Sequence, residues 1–165
     1  MLSIRRLPDP ILKRPTRLVE RFDARLGHLL DEMVALMRSQ PRCVGLAAPQ
    51  TGSPLRLAVM DASRHPKAQG SHGLLVLVNP VLEAREGAVI QREGCLSVPD
   101  FTGNVRRAER VRLRALGRDG RPQWLELAGF EAIVAQHEVD HLDGLLFLDR
   151  VENAATDVFR RKTYL

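Results

Sequence analysis

Gln136 to Phe147 reads QHEVDHLDGLLF, and its two histidines stand four residues apart around a glutamate. On an α-helix, residues i and i+4 point the same way one turn apart, so two imidazoles at this spacing can share one metal ion. Glu138 then sits beside the ion rather than on it, where a carboxylate can work as general base and acid. The two histidines leave the coordination shell incomplete. A catalytic site ordinarily takes three protein ligands and keeps a fourth position for water.

The residues that follow exclude one source of the third ligand. In metzincin proteases the motif HExxHxxGxxH supplies another histidine; this chain matches through Gly144 but carries Phe147 at that position. His65 and His72 lie in the polar loop DASRHPKAQGSHG and His28 on the first helix, all settings of solvated or structural histidines. Cys95 differs. It lies in EGCLS beside Gly94, at the end of a strand-like run where the backbone can come close to a metal or a substrate. Spacing alone leaves the choice open.

The elements that must position these groups can be read from periodicity. Phe22, Leu26, Leu29, Leu30, Met33, Val34 and Met37 recur at helical spacing, which predicts an amphipathic helix over Arg21 to Ser39, stopped by Pro41, with its methionines in the core. Leu55 to Met60 and Leu74 to Val78 read as buried strands joined by the polar loop. Val111, Leu113 and Ala115 alternate with arginines, a turn spans Gly117 to Gly120, and Trp124 to Leu127 alternates back, predicting a hairpin. Phe130, Ile133, Val134, His137 and His141 share one helical face, and Gly144 is placed to end that helix in the left-handed conformation. Strands followed by a helix predict an α+β fold with the second helix packed on the sheets.

Composition bounds the function. At 165 residues, 44% hydrophobic and 27% charged, the chain suits one catalytic domain over residues 1–165. Its longest apolar run, Leu74 to Val78, is far below the ~20 residues of a membrane helix. The start MLSIRRLPDP lacks a signal peptide's apolar core, and Pro8, Asp9 and Pro10 break any presequence that Arg5 and Arg6 would begin. Cytoplasmic residence is the expectation, with no membrane partner. Two cysteines are too few for a disulfide framework, which leaves both free for chemistry. A formal charge of +5 fits weak attraction to an anionic, RNA-rich partner, yet no RNA-binding motif accompanies it and aromatics are only 4%. Sequence-specific nucleic-acid binding is not expected.

Three segments together resemble the peptide deformylases. The family's first motif, ending GLAAxQ, stands here as Gly45 to Gln50; the second, EGCLS, as Glu93 to Ser97; the third, QHExDH, as Gln136 to His141. Order and spacing match, and NPVL, RAERVRLRALGRDG and HLDGLLF extend the likeness over nearly the whole chain. The resemblance implies small antiparallel sheets packed around a C-terminal HExxH helix. It also implies removal of the formyl group from the N-terminal formylmethionine of new polypeptides. Cys95, His137 and His141 look like the metal ligands for one divalent ion, ferrous iron in the family, which zinc, nickel or cobalt can replace. Glu138 looks like the general acid and base. The Gln50 side-chain amide and the Leu96 backbone N–H look like donors to the developing oxyanion. Gly45 and Glu93 are similar to residues that shape the substrate groove and support the ligands, and Phe130, Ile133 and Val134 would wall the methionine pocket. An HExxH endopeptidase, or a formyl-peptide-binding relative without turnover, are the rival readings.

The chain departs from the family pattern at three places. Cys43 occupies a position where the family commonly has glycine, and Thr102 one where many relatives place arginine. Relatives of the best-studied bacterial type continue into a long helix that docks on the ribosome; the shorter basic stretch VENAATDVFRRKTYL implies weak ribosome association at most.

Overall fold

The computed structural model describes residues 1–162; residues 163–165, the last of the basic stretch, lie outside the described residues. Two antiparallel sheets make up the β structure. The larger has strand order β1-β2-β3-β6-β7, built from β1 (Gly45–Ala47), β2 (Leu57–Asp61), β3 (Leu74–Glu86), β6 (Arg110–Leu116) and β7 (Pro122–Ala128). The smaller has order β4-β5-β8, from β4 (Val89–Cys95), β5 (Val98–Arg107) and β8 (Val158–Arg160). Besides helices α1 (Ala24–Ser39) and α2 (Gly129–Leu142), two single-turn helices, α3 (Phe147–Arg150) and α4 (Ala154–Asp157), follow α2 in the chain. The fold is α+β, as the sequence predicts.

The apolar runs of β2 and β3 show little exposed alternation because the large sheet is covered on both faces. Met60, Leu75 and Leu77 join the α2 residues Ala132, Val134, Ala135 and Val139 in one core. Leu57, Val59 and Val78 join Leu26, Leu30, Met33 and Met37 of α1 in the other. Successive strand residues point to opposite faces, so one apolar run serves two helices. A third core, with Leu12, Cys95, Val98, Val105, Leu146 and Phe147, underlies the small sheet.

Several boundaries differ from the sequence expectation, each for a local reason. α1 begins at Ala24 rather than Arg21, because the Asp23 carboxylate accepts the Leu26 N–H at 3.0 Å and caps the helix there. Phe22 consequently lies outside it. β2 begins at Leu57; Leu55 instead forms an isolated parallel bridge to Arg17. β3 continues past Val78 to Glu86, since Asn79 takes a positive φ of 52° and a register shift between Val78 and Val81 accommodates Pro80.

Helix α2 is not amphipathic in the sense expected. It runs through the interior, and several of its buried polar residues have partners supplied by other segments. Gln136 bonds both the N–H and the C=O of Ala108 at 2.9 Å, and Glu131 pairs with His72. Gly144 takes φ 77° just beyond the helix end, with the backbone of Arg14 packed where a side chain would stand. No helix among the described residues is long and apolar enough to cross a membrane.

Candidate active site

Cys95, His137 and His141 offer three ligand atoms that all lie within 4.8 Å of one another. Cys95 is the last residue of β4, pairing with Val98 across the two-residue turn Leu96-Ser97, so its thiol is held at the tip of the small sheet. The histidines come from α2, whose core packs on the large sheet. The site therefore lies at the seam between the two sheets. Cys95 Sγ is 3.3 Å from His141 Nε2.

The orientation of His137 is set from behind. Its Nδ1 is 2.8 Å from Glu93 Oε1; a carboxylate accepts, so Nδ1 carries the proton and Nε2 is left for a metal. Glu93 is held in turn by Arg107, at 2.7 Å from Nε and 2.9 Å from Nη2. Arg107 also donates to Asp140 at 2.6 Å, and Arg150 reaches Asp140 at 2.9 Å. Two buried carboxylates are thus matched by two guanidinium groups. Burial alone would raise the Glu93 carboxyl, but its bonds to Arg107 and His137 hold it at about 2.

The ligand atoms suit a cation. Burial by itself would raise the Cys95 thiol, yet the adjacent His141 and His137 outweigh that and hold it well below the ordinary thiol value. A thiolate is the form that binds metal. Glu138 Oε2 is buried with no hydrogen-bond partner among the described residues, and an orphaned carboxylate oxygen beside the ligands fits a site built to hold a water. His141 turns Nε2 towards Cys95, so its Nδ1, also buried and without a partner among the described residues, lies on the side away from the ligand cluster. Glu138 lies close to the ligands without belonging to their cluster, and burial raises its carboxyl against the opposing pull of His137 and His141. A raised carboxyl is suited to exchanging protons near neutrality.

The remaining sequence-predicted residues converge on the same cavity of about 640 Å³, within the range of ligand sites. Gly45 passes so close that a methyl group there would overlap the Glu138 carboxylate. The Gln50 side chain accepts the Ala47 N–H at 3.0 Å through its oxygen and turns its amide nitrogen to Ser97 Oγ at 3.1 Å and Cys95 Sγ at 3.5 Å. Leu96, Phe130, Ile133 and Val134 line the cavity. His65, from the polar loop, stacks on Phe130 with ring centroids 4.2 Å apart, and His28 is an exposed partner of Glu32. Neither joins the ligand cluster, nor does His72. Arg107, Asp140, Ser97 and Arg161 carry no role in the sequence reading. Asp140 and Ser97 have a signal in their places within QHEVDH and EGCLS, whereas Arg107 and Arg161 depend on strand register.

The comparisons with known proteins agree with this geometry. The family model described as polypeptide deformylase matches residues 1–157. This chain belongs to that family. It is 42% identical over 162 residues to a peptide deformylase of Syntrophobacter fumaroxidans, covering 98% of this chain and 93% of the relative. A peptide deformylase of Mesorhizobium japonicum is 43% identical over 157 residues, covering 94% and 87%. Among solved structures, the Synechococcus elongatus peptide deformylase in complex with actinonin superposes with TM-score 0.84 at 39% identity, covering 93% of this chain and 80% of that one. The Acinetobacter baumannii class I type b enzyme, bound to Met-Ala-Ser, gives 0.84 at 34% identity, covering 92% and 98%.

Proposed function

We propose that this chain, acting as one catalytic domain, hydrolyses the formamide of N-terminal formylmethionine on new polypeptides and releases formate. The observation that carries the reading is the cluster of Cys95, His137 and His141 with Glu138 beside it. Those three residues would hold one divalent ion, and their thiolate and imidazole donors suit ferrous iron, with zinc, nickel or cobalt able to replace it. Such an ion would supply Lewis acidity, lowering the pKa of a water held there towards neutrality.

Glu138 takes the water's proton on its carboxylate and delivers it to the leaving amine, a role typically worth about 10²–10⁴ in rate. The Gln50 amide and the Leu96 N–H donate to the formyl oxygen as charge gathers there, in a cleft partly closed to water. Glu93 keeps His137 in the tautomer that presents Nε2. Gly45 leaves room for Glu138, while Phe130, Ile133 and Val134 receive the methionine side chain. The protein works in the cytoplasm, and its +5 charge supports weak association with the ribosome.

Iron-loaded protein kept anaerobic is offered a formyl-Met peptide, an acetyl-Met peptide and casein. Formate release from the first, with the other two left intact, is the expected result. Cleavage of casein would favour an endopeptidase, and binding without turnover an inactive relative.

A further inference from the structure

Arg161 reaches the cavity from a part of the chain remote from all three motifs. β8 pairs with β5 through Phe101 with Arg160, Thr102 with Phe159 and Gly103 with Val158. The Arg161 N–H extends this ladder to the Asp100 carbonyl at 2.8 Å. The Arg92 guanidinium lies 3.6 Å over the Phe159 ring, which ties β8 to β4 as well. The segment so fixed carries the Arg161 side chain into the cavity beside Gly94, Cys95 and Thr102.

Its guanidinium occupies room that Gly94 leaves. A Cβ at position 94 would stand 2.5 Å from Arg161 Nη2 and 3.5 Å from Thr102 Cγ2. Gly94 directly precedes Cys95, so a planar cation sits one residue from the ligand cluster. The Arg161 Nε is buried and has no hydrogen-bond partner among the described residues. A buried donor left without an acceptor is costly, and a ligand that brings one removes the cost. Charge along the cavity adds to this: Arg6, Arg42, Lys67 and Arg92 also line it, against the carboxylates of Glu93, Asp100 and Glu138, of which Glu93 is engaged by Arg107.

We propose that Arg161 is a substrate-binding residue that receives a carboxylate side chain downstream of the formylmethionine, giving the enzyme a preference for acidic nascent chains. Once the side chain turns off Gly94, Nε and a terminal nitrogen of the guanidinium present two parallel N–H donors that match one carboxylate. The inference rests on the deformylase reading.

The test is a comparison of formyl-Met peptide amides carrying glutamate or glutamine at each of the first three positions after methionine. Wild type prefers glutamate at one position by about tenfold in kcat/KM, the change expected of one charge-assisted hydrogen bond. In Arg161→Ala the ratio collapses to within about threefold of one, while Arg161→Lys keeps part of it as a point charge. Because Thr102 faces the same point beside Gly94, adding Thr102→Arg to Arg161→Ala restores the preference. No glutamate preference in wild type, or a preference that survives Arg161→Ala, would overturn the inference. The same ratio is read in Kd from the anisotropy of labelled deformylated peptides on zinc-loaded protein. Failure of turnover with every formyl peptide would count against the deformylase reading, and the binding ratio would still decide the role of Arg161.

Discussion

At Gly45 the backbone of β1 lies against the Glu138 carboxylate with no space for a side chain. Gly45→Ala must therefore displace the carboxylate, the backbone, or both. A shift on the order of 1 Å in a catalytic group can cost about 10²-fold. We expect Gly45→Ala to lower kcat by about that factor with one ion per chain still bound, checked by turnover beside metal analysis. Cys43, two residues earlier, behaves differently. Burial, with Glu138 and Cys95 nearby, pushes its thiol up to about 12, and its Sγ donates to the Gly45 carbonyl at 3.2 Å. A protonated, bonded thiol fills space and transfers no proton. Cys43→Gly should leave the anaerobic rate within about threefold, and a larger loss would give the thiol a part in turnover.

Helix α2 carries both histidines, and what fixes it is the chain His137, Glu93, Arg107 and Asp140 in the interior, closed at the surface by the exposed Arg150. Removing one partner of a buried ion pair leaves an uncompensated charge. Arg107→Met should cost about 3–5 kcal/mol in urea unfolding and weaken zinc binding by roughly 10–100-fold, because Glu93 loses its hold and with it the orientation of His137. Glu93 also adds an acid limb to stability. Its carboxyl lies at about 2 in the folded state against an ordinary 4.5, so its contribution is complete above pH 4.5 and is lost as pH falls towards 2. Acid titration of metal-free protein should show a slope in that window worth about 3 kcal/mol, absent in Glu93→Gln. Much of α2 was legible beforehand, because the i, i+4 histidines and Gly144 are local signals. Its burial on nearly all sides was not, since the partners that make Gln136 and Asp140 tolerable inside, Ala108, Arg107 and Arg150, come from other segments of the chain. The continuation of β3 through Asn79-Pro80 was hidden for a similar reason: the pair reads as a strand breaker until the bulge against β6 is seen. The place of Cys95 at the tip of a turn was foreshadowed by EGCLS, while the arrival of Arg161 depends on β8 pairing with β5, which no local pattern announces.

Across the whole molecule, the ligand set joins the small sheet, through Cys95, to the helix carried by the large sheet. An ion that binds only the folded arrangement stabilises it by mass action, by about 2.7 kcal/mol at a hundred times Kd. For a chain of this size that corresponds to a Tm roughly 5–10 °C higher than after chelation, measurable by calorimetry. Cys95→Ala should abolish that difference, and His65→Ala and His72→Ala should retain it; the reverse pattern would move the third ligand into the polar loop. Holding the ion and moving the proton are separate tasks in this molecule, and Glu138→Gln divides them. Metal content and formate release, measured on the same iron-loaded preparation of this variant, should give one ion per chain with turnover lowered at least about a hundredfold. A variant that lost its ion, or kept it and turned over near the wild-type rate, would contradict the assignment of Glu138 as the proton carrier beside a Cys95, His137 and His141 centre.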